Sequence, residues 1–156
     1  MRFKINDLYL EYQDVLNMGL HENVVSILVD ILVDKPVLIN SLNLDYGTQQ
    51  DFHVDSLFMT PPSPYNMVAM WVALEDVSPN AGPLAYFPKS HLISPYKFSN
   101  GSTHIIPNEM SDFKDYMNTQ INIMDLKKSY SHRIKVMHYF GLHTFSTEVV
   151  RSLIII

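Results

Sequence analysis

Between Ile5 and Met18 the apolar residues Ile5, Leu8, Tyr9, Tyr12, Val15 and Leu16 recur at helical spacing, with Asn6 or Asp7 as a cap and Gly19 as a stop. The spacing predicts an amphipathic helix over 5–18. A second helix is predicted from Glu22 to Asp34, where Val24, Val25, Ile27, Leu28, Ile31 and Leu32 form a broad apolar face and Lys35-Pro36 ends it. Both helices read as one layer packed on a sheet. From Val37 the period drops to two, predicting a strand through Tyr46 with Ser41, Asn43 and Asp45 on its polar face and Gly47 as its end. A further strand is expected to carry His53 and Asp55, before Pro61-Pro62-Ser63-Pro64 forces an extended loop.

Residues 66–77 form the plainest strand in the chain. Met67, Ala69, Trp71 and Ala73 fall on one face, and Val68, Met70, Val72 and Leu74 on the other. With both faces apolar, this strand is expected at the centre of a sheet, covered on two sides. Pro79 to Pro83 is a turn, and Leu84 to Phe87 a short strand. Further on, Ser99 to Thr103 reads as a loop. Ser111 is expected to cap a helix running to about Asn122, half-buried through Tyr116, Met117, Gln120 and Ile121. Residues 134–143 form a strand-like run holding two histidines, His138 and His143.

Composition narrows the chemistry. The chain of 156 residues is one domain's worth, and its apolar fraction of 47% is that of a globular protein with a real core. Its apolar runs are broken well short of a membrane span, and the start lacks the continuous apolar region of a signal peptide, so a soluble, cytoplasmic protein is expected. With no cysteine, disulfides and thiolate metal sites are excluded, leaving histidine and carboxylate as metal ligands. A formal net charge of −5, with Lys127-Lys128 the only adjacent basic pair, argues against nucleic-acid binding. That pair reads as a solvated helix end.

The chemistry concentrates in His53-Val54-Asp55. On a strand, His53 and Asp55 point the same way and Val54 into packing, so one face offers a nitrogen and an oxygen donor side by side. Joined by a second histidine, such a pair makes the facial triad that holds Fe(II) and leaves positions open. The triplet by itself is common. Trp71, flanked by Ala69 and Ala73, leaves volume above the small residues and reads either as plain core or as the wall of a pocket.

The run from Gln50 to His91 resembles the phytanoyl-CoA dioxygenase family of iron(II)- and 2-oxoglutarate-dependent oxygenases. The residues that carry the resemblance are His53-Val54-Asp55, then Trp71 in Trp-Val-Ala-Leu-Glu-Asp, then Gly82-Pro83-Leu84, then Pro88-Lys89-Ser90-His91. The family usually has glycine where Lys89 stands; if a positive φ is needed there, lysine adopts it at a cost of roughly 1 kcal/mol. The resemblance makes His91 a structural residue of that turn, away from the metal. It implies Fe(II) ligands His53, Asp55 and His143, with His138 the other candidate for the third position. Trp71 would line the 2-oxoglutarate pocket, Ser146 would reach that cosubstrate through its hydroxyl, and Arg151 would bind its far carboxylate. A planar guanidinium suits that task, and an arginine amid Val149, Val150 and Leu153 would otherwise be an expensive unpaired charge; an arginine at the surface end of a strand is the other reading. The chain departs from the family where His132-Arg133 replaces a Gly-Asp turn and where Thr144-Phe145 replaces Gly-Gly.

The expected architecture is mainly β with flanking helices: a double-stranded β-helix, the jelly-roll shared with cupins. A single domain over 1–156 would comprise a helical buttress (1–36), a first half-barrel with the metal motif (37–91), a variable segment (92–132) and a second half-barrel with the distal ligand (133–156). The implied activity is hydroxylation of a small organic substrate with dioxygen and 2-oxoglutarate, with no nucleic acid or membrane as partner; the oligomeric state and the substrate are not legible. Two other readings stay open, a degenerate non-catalytic family member and a cupin-like metal protein that does not use 2-oxoglutarate.

Overall fold

The computed structural model describes residues 4–44, 51–59, 66–78, 83–131, 137–141 and 152–155. Its centre is a five-stranded antiparallel sheet in the order β1 (Lys4–Asn6), β2 (Ser41–Leu44), β7 (Ser152–Ile155), β3 (Val68–Ala73), β6 (Met137–Gly141). A two-stranded ribbon, β4 (Ala85–Tyr86) with β5 (Ser129–Tyr130), is separate from it. Among the described residues the strands do not close into a barrel.

β3 behaves as its two apolar faces require. It lies between β6 and β7, with Trp71 opposite His138 on one side and Ile154 on the other. From one face, Met70 packs against Val24 together with Val15, Met18, Leu28, Leu38 and Val72, which is the layer of α1 (Gln13–Gly19) and α2 (Glu22–Leu32). From the other, Trp71 and Ala73 pack with Val77, Leu84 and Tyr86. The period-two alternation thus sorts the strand's side chains into two cores.

The first predicted helix is shorter than its spacing suggests. Lys4–Asn6 pair with β2 instead, Ile5 opposite Asn43. Asp7 then turns the chain in the left-handed region (φ 56°), its N–H donating to the Ser41 carbonyl (2.7 Å) and its carboxylate accepting from the Ser41 N–H (3.3 Å). Aspartate tolerates that region better than most residues, and the sheet edge offers hydrogen bonds that a helix N-terminus would lack. α1 begins only at Gln13. α2 matches expectation closely: His21 caps it by accepting from the Asn23 N–H, and Val33, left-handed at φ 56°, ends it. Of the predicted strand over 37–46, residues 41–44 form β2 and 37–40 do not, while 45 and 46 lie outside the described residues.

Residues 92–131, within the segment expected to be variable, supply most of the largest core cluster among the described residues. α3 (Met110–Ile123) buries Phe113 and Met117 against Val54, Leu57, Ile93 and Phe98, with Tyr96, Phe52 and Phe87 packed around them. Phe113 stacks on Phe98 (6.4 Å between ring centres, 18°) and takes the edge of Tyr96 (5.8 Å). Ser111 lies inside this helix rather than at its cap, which Glu109 occupies. Among the described residues no single helix is long and apolar enough to cross a membrane; α1 and α2 reach the composition only as a pair, bent by 45°.

Candidate metal centre

His53 and Asp55 are brought together, though not on a strand as predicted. Val54 is extended, and Asp55 opens a 3-10 turn over Asp55–Leu57, with the Asp55 carbonyl accepting from the N–H groups of Phe58 and Met59. The cause lies in the apolar spacing. Val54, just before the turn, and Leu57, its last residue, are both buried and both enter the α3 core. The Leu57 carbonyl accepts from the Ile105 N–H (3.1 Å), which fixes the turn to the segment leading into α3.

The turn leaves His53 and Asp55 at the edge of this core, 14% and 21% exposed, with His53 Nε2 3.5 Å from Asp55 Oδ1. On the other side of the ring, Nδ1 lies 2.8 Å from the Asp51 carbonyl oxygen. A carbonyl can only accept, so Nδ1 carries a proton; in the neutral ring the Nε2 lone pair then faces the carboxylate, and in the protonated ring Nε2–H donates to it. The edge of Phe58 packs on the ring at 5.5 Å. Burial and the nearby Lys4 pull the His53 pKa down, but bonds to Asp55 and to the Asp51 carbonyl, with the Asp55 charge, outweigh them and leave it raised.

This donor pair fits a metal. Two donors about 2.1 Å from one ion and 3.5 Å from each other subtend an angle of roughly 110°. A ring nitrogen held through its other N–H by a carbonyl is the usual outer support of a metal-binding histidine. Among the described residues no group of three or more His, Asp or Glu completes a metal-holding set. His143, Ser146 and Arg151 lie outside the described residues. His138 is in β6, in register with Trp71.

Trp71 is buried in the cluster of Ala73, Val77, Leu84 and Tyr86. His91 is exposed on a 3-10 turn over Ser90–Leu92, and Lys89 before it adopts φ 70°, the positive value expected of the family's glycine position. Sequence reasoning missed two residues that tie down the approach to His53. Lys114 of α3 pairs with Asp51 (Nζ to Oδ2, 2.7 Å), and Lys128 stands over the Phe52 ring at 4.7 Å rather than serving only as a solvated helix end. Phe52 also meets Phe87 edge-on at 5.4 Å. A lysine 63 positions from its partner leaves no local signal.

The chain thus combines a helix-buttressed antiparallel sheet with a histidine–carboxylate pair at the edge of the α3 core. The model of the phytanoyl-CoA dioxygenase (PhyH) family matches residues 10–128, and the chain belongs to that family. Solved structures of similar fold include the following two. One is EctD from S. alaskensis, crystallised with 2-oxoglutarate and 5-hydroxyectoine (TM-score 0.59, 13% identity, covering 98% of this chain). The other is SnoK, a non-heme alpha ketoglutarate dependent carbocyclase from nogalamycin biosynthesis (TM-score 0.65, 15% identity, covering 97%). The chain spans 55% of the length of the first and 62% of the second. No curated protein sequence matches it.

Proposed function

We propose that the protein is a non-haem Fe(II)- and 2-oxoglutarate-dependent dioxygenase of double-stranded β-helix fold that hydroxylates a small organic substrate. The observation that carries the reading is the placement of His53 Nε2 and Asp55 Oδ1 3.5 Å apart, with Nδ1 committed to the Asp51 carbonyl. Family membership and neighbours that use 2-oxoglutarate support it.

In this reading His53 and Asp55 supply two ligands and His143 the third, with His138 the alternative. Arg151 receives the far carboxylate of 2-oxoglutarate through two parallel charge-assisted bonds, Ser146 adds a hydroxyl, and Trp71 closes the pocket wall. When bound, iron and 2-oxoglutarate supply the oxidising power that turns dioxygen, 2-oxoglutarate and a substrate C–H into succinate, carbon dioxide and an alcohol. The chain's own part is to hold the ligand nitrogen in one tautomer, present one carboxylate oxygen beside it, and keep water from the pocket.

The test is an anaerobic titration with Fe(II) and then 2-oxoglutarate, watching for the weak visible absorption of the iron-bound keto acid. Its appearance, and its weakening tenfold or more in Arg151→Leu, supports the oxygenase. Metal binding without that absorption would favour the cupin-like reading, and no metal binding the degenerate one.

A further inference from the structure

The approach to His53 is held from a distance. The Lys114 ammonium meets Asp51 Oδ2 at 2.7 Å, and the carbonyl of the same Asp51 accepts from His53 Nδ1 at 2.8 Å. Phe52 packs on the α3 core, but beside it the surface is cleft. An open cleft of about 340 Å³ runs between α3 and residues 51 and 52, lined in part by Phe52, Phe87, Met117 and Asn118. Lys114 and Asp51 both border it, 47% and 83% exposed, so their ion pair crosses the rim of the cleft and links α3 to the residue whose carbonyl holds His53.

From this geometry we infer that Lys114 is a positioning residue for the metal site, orienting His53 through Asp51. The inference rests on the metal-binding reading of His53 and Asp55 given above. The His53 ring has two competing partners in the metal-free protein: the Asp51 carbonyl at Nδ1 (2.8 Å) and the Asp55 carboxylate at Nε2 (3.5 Å). Only the Nδ1–H tautomer leaves Nε2 free to bind an ion. By fixing residue 51, Lys114 favours that tautomer and aims the ring. Its loss lets the Asp51 carbonyl drift and the proton shift toward Asp55.

The sign of one substitution separates positioning from simple electrostatics. Acting through space, the lysine charge would repel a divalent cation, so Lys114→Gln would tighten metal binding or leave it alone. A positioning role predicts the reverse. Manganese(II) titrated into the full chain and followed by electron paramagnetic resonance should bind about 3- to 10-fold more weakly in Lys114→Gln, below the range for direct outer-shell partners because the lysine is one link further out. Asp51→Asn should weaken binding similarly, the double variant should be no worse than Asp51→Asn alone, and Lys114→Arg should restore wild-type affinity. Tighter or unchanged binding in Lys114→Gln, or additive losses in the double variant, overturns the inference. A second readout is independent of metal. Nitrogen-15 spectra of metal-free protein at mildly alkaline pH should show His53 protonated at Nδ1 in the wild type and a tautomer mixture in Lys114→Gln. If the wild type binds no manganese or iron, the oxygenase reading fails and these spectra alone decide, an unchanged His53 tautomer in Lys114→Gln overturning the positioning role.

Discussion

His53 Nε2 and Asp55 Oδ1 face each other across 3.5 Å, two residues apart in sequence and joined by a valine whose side chain belongs to a different environment. Val54 is anchored in the α3 core, so the two polar groups are turned outward together. Because the pair is held by the turn and not by its own contact, His53→Ala and Asp55→Ala should each leave the circular-dichroism spectrum intact. Each should abolish iron-dependent release of succinate from 2-oxoglutarate. Undiminished succinate from either variant would end the oxygenase reading.

The raised His53 pKa sets two opposite pH profiles. In metal-free protein the protonated ring pairs with Asp55. That stabilisation is fully present below the ordinary histidine value of about 6.5 and is lost as pH rises through the raised value. Metal competes with the proton at Nε2, so manganese affinity should climb with pH over the same window. Urea midpoints for wild type minus His53→Gln should therefore fall as manganese affinity rises. A difference that grows with pH would contradict the pairing.

Phe113 fills the centre of the aromatic cluster and is 2% exposed, whereas Ile123 on the same helix is 71% exposed. Phe113→Ala should cost about 3–5 kcal/mol in unfolding free energy. Ile123→Ala should change it by less than about 0.5 kcal/mol. Denaturant titration of both variants reads the contrast directly.

Lys89 sits at φ 70°, where an L side chain is strained by about 1–2 kcal/mol. Glycine relieves that strain but gains about 0.5–1 kcal/mol of unfolded-chain entropy. Lys89→Gly should therefore stabilise modestly, on the order of 0.5 kcal/mol, and Lys89→Val should destabilise, since a β-branched residue fits that region worst. Thermal melts that rank the three in any other order would refute the strain.

The parts legible in the sequence were those governed by local period. β3 announced both of its faces and α2 its start, with its end two residues early; the positive φ of Lys89 was suggested only by the family's glycine at that position. His53 and Asp55 were found as a pair, yet the backbone that pairs them was misread, because Val54 and Leu57 answer to α3 rather than to a neighbouring strand. β1 escaped for a similar reason: Lys4–Asn6 take their conformation from β2, far along the chain. Phe113 and Lys114 were hidden in a segment without strong periodicity, and their roles exist only once residues 51–54 lie against them.

The placement of β3 governs the order in which the molecule can be built. Both of its neighbours, β6 and β7, come from Met137 onward. As the polypeptide leaves the ribosome, its most apolar strand emerges with both edges open and stays so through the synthesis of the α3 region. Long-range pairings of this kind fold slowly and expose sticky edges while they wait. The α1–α2 layer, made earlier, can cover one face of the waiting strand through Val24 and Met70. The layer that buttresses the finished sheet is thus synthesised before the strand it covers.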